Sequence, residues 1–389
     1  MARKLWAKRG LAALATGAMA VSLAACGGEG AGGGAGGGGG DGEEGGLVGV
    51  AMPTQTYERW IADGDAVKTG LEEAGYDVDL QFAGDDIPTQ QSQIEAMISK
   101  GAEALIIASI DGTALGSQLE QAAAADIPVI SYDRLIRDSE NVDFYVTFDN
   151  YEVGVQQGTS LLTGLGVLDE SGEPAADAPE GPFNIELFAG SPDDNNAGFF
   201  FDGAMSVLQP YIDDETLVVP SEQTEFGTVA IQRWEQEGAQ SRMEDLLTST
   251  YSAGDTNVDG VLAPADVLSR GIITALENSG YGKGDLDMPI ITGQDAEAAS
   301  AKLIVDGKQY STIFKDTRLL AEQAVTAATS FLEGNEPEAN DTETYENGVK
   351  VVPSYLLPTV IVTEDNLEAE LVESGYLTED EVASGQVDE

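Results

Sequence analysis

The chain has no histidine, one cysteine, and only 18 lysines and arginines against 69 aspartates and glutamates, for a net charge of −51 at pH 7. Without histidine, Ser-His-Asp catalysis, Cys-His catalysis and every histidine-ligated metal site are excluded. A lone cysteine closes no disulfide within the chain. The shortage of cations makes nucleic acid and anionic lipid surfaces poor partners. The acidity reads as a solvated face suited to a saline or cell-surface setting, not as a site. Beyond the first 25 residues no apolar run reaches the roughly 18 residues that a membrane-spanning helix needs.

What is present begins with a leader. Arg3, Lys4, Lys8 and Arg9 precede an apolar run from Leu11 to Leu23, the n-region and h-region of a signal peptide expected over residues 1–25. The run ends Leu23-Ala24-Ala25-Cys26, which resembles the bacterial lipoprotein processing site, where the cysteine becomes the new N-terminus and carries diacylglycerol. At about 0.8 kcal/mol per buried methylene, two acyl chains would make a stable anchor. Residues 26–46, nearly all glycine with alanine and acids, read as a flexible tether. These features predict a body held by Cys26 at the outer face of the cytoplasmic membrane.

With 389 residues, 42% hydrophobic and 22% charged, the chain can build two cored domains. From Leu47 the pattern alternates between strand and helix. Strands are expected at 47–51, 78–82, 104–107, 128–132 and 144–148, mostly continuous apolar runs of the kind found in parallel sheets covered on both faces. A second set is expected at 183–188, 217–219, 260–263, 289–292 and 310–314, with later strands at Val349–Val352 and Thr359–Val362. The fold class is α/β, with two lobes joined by three crossings near Asp149–Tyr151, Lys315–Thr317 and Lys350–Pro353. One lobe is assigned 47–150 plus 317–350, and the other 151–316 plus 351–389 with its acidic tail. Asp169–Pro182 is expected to be a surface loop.

Polar residues cluster where strands end, the place in open α/β sheets where ligands bind. Asp111, Asp133, Asp266, Gln294 and Asp295 each follow a predicted strand, and Asp193 to Asn196 follow Ile185–Phe188. Any single aspartate there could equally cap the next helix. Together with Arg59, Arg134 and Asn196 they supply the acceptors and forked donors that a polyhydroxylated ligand requires. A few charged hydrogen bonds at about 1.5–3 kcal/mol each would suffice for micromolar binding, roughly 8 kcal/mol, after association costs. Trp60 and Trp234, one per lobe, would offer apolar faces to a sugar ring, although each could also be a half-buried core indole.

Asp255, Asn257, Asp259 and Gly260 match the opening of an EF-hand loop, with Asp266 at the twelfth position. The strand-like Val261–Ala263, Pro264 and the Asp in place of Glu argue against calcium, and no metal or cofactor is assigned. Asn340-Asp341-Thr342 forms a sequon, uninformative behind a bacterial leader.

From about Val48 to Val362 the chain resembles the multiple-monosaccharide-binding proteins of bacterial sugar ABC transporters, close to the xylose- and galactose-binding proteins. The motifs that carry the resemblance include Glu58-Arg59-Trp60, Tyr132-Asp133-Arg134-Leu135-Ile136, Gly190-Ser191-Pro192-Asp193-Asp194-Asn195-Asn196, Gly293-Gln294-Asp295-Ala296 and Ile313-Phe314-Lys315-Asp316. The resemblance implies two Rossmann-like lobes of the periplasmic binding protein type I kind, closing on one aldopyranose without catalysis. It implies hydrogen bonds to the sugar from Arg59, Asp111, Asp133, Arg134, Asn196, Asp266, Asp295 and Lys315, stacking by Trp60 and Trp234, and supporting roles for Asn195 and Gln294. Ala265 departs from the Tyr or Asn that relatives often place before Asp266. The implied partners are a monosaccharide such as glucose, galactose, xylose or arabinose and the permease subunits of a transporter, with the protein a monomer. The alternatives are a secreted carbohydrate-acting enzyme and a sugar receptor for a chemotaxis or sensor-kinase system. The enzyme meets a difficulty: a general acid needs a raised pKa, whereas Arg59, Arg134 and Lys315 favour ionised carboxylates.

Overall fold

The computed structural model describes residues 45–252, 254, 256–284 and 286–387. The signal peptide, Cys26, the tether up to residue 44 and Asp255 lie outside the described residues. The expected tether end shifts by two residues, because Gly45 and Gly46 already belong to the first strand.

The first lobe is built from β1 (Gly45–Met52), α1 (Glu58–Glu73), β2 (Tyr76–Phe82), α2 (Ile87–Ser99), β3 (Ala102–Ile107), α3 (Gly116–Ala124), β4 (Val129–Tyr132) and β5 (Phe144–Phe148). The second lobe follows with α4 (Asn150–Gly164), β6 (Phe183–Leu187), α5 (Asn195–Asp213), β7 (Leu217–Val218), α6 (Phe226–Val229), α7 (Gln236–Ser249), β8 (Gly260–Leu262), α8 (Asp266–Asn278), β9 (Ile290–Ile291), α9 (Ala298–Val305) and β10 (Ser311–Phe314). The chain then returns through α10 (Thr317–Leu332) and β11 (Ser354–Leu357) to the first lobe, and ends with β12 (Val360–Thr363) and α11 (Glu379–Ser384) on the second.

The first lobe's sheet is parallel throughout, in the order β11-β5-β4-β3-β1-β2. Its central strands β4 and β5 are buried on both faces, which is why they read as nearly unbroken apolar runs. Val67 and Leu71 of α1 pack with Leu320 and Ala324 of α10 on one face, while Ile94 and Met97 of α2 join Leu119 of α3 on the other. Each such fully buried aliphatic contributes about 1.5–3 kcal/mol. The second lobe orders its strands β7-β6-β8-β9, again parallel. β10 joins the edge beside β9 through Tyr310 N to Ile291 O (2.9 Å) and Ile313 N to Gly293 O (3.1 Å), and pairs antiparallel with β12. α4 and α5 touch backbone to backbone, since a Cβ on Gly154 would stand 2.1 Å from Phe200 O and one on Gly203 2.2 Å from Tyr151 O.

Two expectations change. Val349–Val352 is a turn rather than a strand: Asn347 Oδ1 accepts Val349 N (3.1 Å) and Lys350 N (3.0 Å), and Gly348 holds φ +92°. The strand comes later, at Ser354–Leu357, in register with Tyr145–Phe148, so these residues belong to the first lobe and the third crossing lies between Leu357 and Val360. The other two crossings join Phe148 to Asn150 and Phe314 to Thr317. Among the described residues no helix is long and apolar enough to cross a membrane, and no group of three or more acidic or sulfur side chains is placed to hold a metal ion. β8 occupies the middle of the EF-hand-like stretch, and Asp266 stands beyond it in α8.

Candidate functional site

The strands β1, β4, β6, β8, β9 and β10 deliver the chain to the same crevice. Arg59 and Trp60 sit in the first turn of α1 after β1, and Asp133 and Arg134 follow β4. Asp194 and Asn196 open α5 after β6, Ala265 and Val267 flank the start of α8 after β8, Gln294 to Glu297 follow β9, and Lys315 follows β10. Together with Tyr57, Phe200 and Trp234 they line a cavity between the lobes.

The walls are crossed by ion pairs. Arg59 Nη2 lies 2.9 Å from Asp63 Oδ2 and 2.8 Å from Asp133 Oδ2, and Arg59 Nη1 lies 3.3 Å from Asp295 Oδ1. Lys315 Nζ meets the same Asp295 oxygen at 2.9 Å, and Arg134 Nε meets Asp194 Oδ2 at 3.3 Å. Burial alone would lower the Arg59 pKa, but Asp133, Asp63 and Asp295 outweigh it and hold the guanidinium protonated. Burial would likewise raise Asp133, yet Arg59, Lys315 and Arg134 keep its carboxyl below the usual range. Asp194 moves the other way, because burial exceeds the pull of Arg134.

Aromatic surfaces complete the cavity. The guanidinium carbons of Arg59 and Arg134 lie over the Trp60 ring, 4.4 and 5.2 Å from its centroid. Lys315 Nζ stands 5.6 Å from the centroids of both Phe148 and Phe200. Trp234 follows Arg233 in a left-handed pair of residues (φ +55° and +57°), a costly conformation for non-glycine residues. Ser191 Oγ holds that turn by accepting Arg233 N at 2.7 Å. The indole packs edge-on against Phe200 at 6.3 Å, and a Cβ on Gly190 would stand 2.0 Å from it, so only glycine fits beneath the ring.

The lobes are shut over this space. Asn196 Nδ2 donates to Asp133 O at 2.7 Å and its Oδ1 accepts from Tyr145 OH at 2.9 Å. Tyr57 OH donates to Trp234 O at 3.4 Å, and Arg233 Nη1 to Asp85 O at 3.1 Å. Two lobes of parallel α/β structure, three crossings and a closed cavity at the strand ends define a periplasmic binding protein fold of type I. Residues 48–336 match the periplasmic binding protein domain family.

The chain belongs to that family. It is 53% identical over 337 residues to the multiple sugar-binding periplasmic receptor ChvE of Rhizobium radiobacter, covering 87% of this chain and 92% of that one. It is 35% identical over 335 residues to the D-xylose-binding periplasmic protein of Escherichia coli, covering 86% and 92% of the two chains. Among solved structures, an ABC transporter solute binding protein from Clostridium phytofermentans with bound β-D-glucose superposes with a TM-score of 0.80 at 46% identity, covering 86% of this chain and 99% of that one.

Within this periplasmic binding protein, Arg59, Trp60, Asp133, Arg134, Asn196, Trp234, Gln294, Asp295 and Lys315 all line the cavity. Three other expected residues do not. Asp111 bends its own loop, Oδ1 accepting Thr113 N at 2.8 Å and Oγ1 at 2.7 Å. Asn195 is the first residue of α5 and lies off the cavity wall. Asp266 is fully buried behind the wall, where it accepts Glu297 N (3.0 Å) and Gln309 Nε2 (2.8 Å) and so supports the loop that carries Asp295. Burial, reinforced by Glu297 and opposed by Arg270, pushes its carboxyl up to about 8.

The cavity also holds Tyr57, Asp194, Phe200, Val267 and Glu297, none of them among the expected contacts. Phe200 was legible as the residue one turn after Asn196 on the same helix face. Asp194 lay inside a polar cluster already in view but carries a second duty, its Oδ1 capping α5 by accepting Asn196 N at 2.9 Å.

Proposed function

We propose that this chain is the substrate-capturing component of an ABC importer, closing its two lobes on one aldopyranose and delivering it to a membrane permease. The observation that carries the reading is the closed cavity itself, in which indoles from both lobes stand beside carboxylates and cations. Carbon–hydrogen faces of a pyranose suit Trp60 and Trp234, while its hydroxyls suit Asp133, Asp295, Arg134 and Lys315. The sugar-binding relatives named above support the same ligand class. The cavity's carboxylates are engaged in ion pairs, Asp194 with Arg134 even though burial raises it, and the Asp266 carboxyl, pushed up to about 8, lies behind the wall. That arrangement favours binding over acid-base cleavage of a glycoside.

Calorimetry with glucose, galactose, xylose and arabinose is expected to give micromolar binding of at least one sugar, about −8 kcal/mol, with a change in tryptophan fluorescence. Folded, ligand-free protein that responds to no sugar of the panel would refute the reading. The lipoprotein leader supports anchorage through Cys26 at the outer face of the membrane. Cys26→Ala is expected to release the protein into the medium; membrane retention of that variant would count against the anchor.

A further inference from the structure

Three carboxylates converge on Arg59, and only two of them face the cavity. Asp63, one turn further along α1, is fully buried and lies behind the cavity wall. Its Oδ2 shares Arg59 Nη2 with Asp133 Oδ2, at 2.9 and 2.8 Å. A guanidinium Nη carries two hydrogens, so an ionised Asp63 takes one and leaves Asp133 the other. Asp133 Oδ1, which accepts no hydrogen bond among the described residues, then stays available to a ligand hydroxyl. If Asp63 loses its charge, Nη2 is released and the planar fork can close on Asp133 in a bidentate pair. That pairing withdraws both groups from the cavity.

Resting on the sugar reading, we propose that Asp63 is a positioning residue: its charge decides how Arg59 divides itself between Asp133 and the ligand, so that sugar is held while Asp63 is ionised and released when it is protonated. The groups around it leave it as the one that switches in this cluster. Arg59 on its own helix stays protonated, and Asp133 after β4 is held low. Tyr132 of β4 and Tyr376 of the C-terminal segment are pushed further from ionisation, by burial above all. Thr317, at the start of α10, contributes a hydroxyl that favours the charged form, and Asp295 reaches the cluster through Arg59. Burial outweighs Arg59, with Asp133 adding to it, and pushes the Asp63 carboxyl up to about 6.

The test is calorimetry of the tightest-binding sugar of the panel from pH 7.5 to 5, in buffers of differing ionisation enthalpy. Wild-type affinity is expected to fall about tenfold over that range, and binding near pH 6 to release a fraction of a proton. Asp63→Asn is expected to bind at pH 7.5 as weakly as wild type does at pH 5, without the slope, while its thermal melt remains cooperative. A purely structural Asp63 would alter the melt and leave the slope in place. A flat wild-type profile, or a slope that persists in Asp63→Asn, overturns the proposal. The wild-type titration needs no variant, so a misfolded Asp63→Asn leaves the test intact. If no sugar binds at pH 7.5, the sugar reading itself fails and this inference falls with it.

Discussion

The two halves of the cavity are organised by different physics. On the first lobe, Arg59, Asp133 and Arg134 are ordered by charge: every one is in an ion pair, and two guanidiniums cover Trp60. On the second lobe Lys315 pairs with Asp295, but the indole is ordered by shape. Trp234 is held by a left-handed turn above Gly190, with Ala265 and Val267 beside it, and its Nε1 is buried without a partner, as is Gln294 Oε1. A buried polar atom without a partner is costly. Both halves keep unpaired buried atoms, Arg59 Nε on the first and Trp234 Nε1 and Gln294 Oε1 on the second, but only the first is gathered around a single shared guanidinium.

That contrast can be broken most forcefully at Asp133. Asp133→Ala leaves Arg59, Arg134 and Lys315 short of a buried counter-charge, a change that costs about 3–5 kcal/mol. Calorimetry is expected to show sugar affinity falling by about a hundredfold or more, and affinity near wild type would mean that charge does not organise the first half. On the second half the corresponding change is steric. Gly190→Ala drives a methyl into the Trp234 ring at a cost of about 1–3 kcal/mol, with an expected loss of affinity of about tenfold. An unchanged titration and melt would show that the indole is free to move.

The smallest effect concerns Asp266, which holds the second half from behind. Its folded-state pKa is raised to about 8 from an unfolded value near 3.8. Both states bind the proton below about pH 4, so its stabilisation is complete there, and it is lost progressively as pH rises toward 8. Asp266→Asn cannot ionise, so its melting temperature is expected to gain on wild type, by a few °C, between pH 5 and 8. A constant difference across that range would place the Asp266 pKa near its ordinary value.

Much of this architecture was legible before any coordinates. Continuous apolar runs marked the buried parallel strands, and the rule that ligands sit beyond strand ends pointed to Asp133, Asn196, Asp295 and their neighbours. The misplaced strand at Val349–Val352 shows where such reading stops. Three valines look like a strand, but Asn347 and Gly348 turn the backbone there, and the partner of the true strand, β5, lies some 200 residues earlier. Asp111 and Asp266 show the same limit among side chains. Each follows a strand, as Asp133 does, yet one folds onto its own loop and the other points behind the wall.

Residue order and type decided what kinds of element could form and which chemistry was absent, because periodicity, turn residues and the lack of histidine act locally or by exclusion. The rotation of each strand-end carboxylate toward or away from the cavity was decided only by folding. Its side chain goes where a distant cation or donor satisfies it, as Arg59 does for Asp133 across 74 residues and Gln309 does for Asp266 across 43. Such partners are neighbours in space alone.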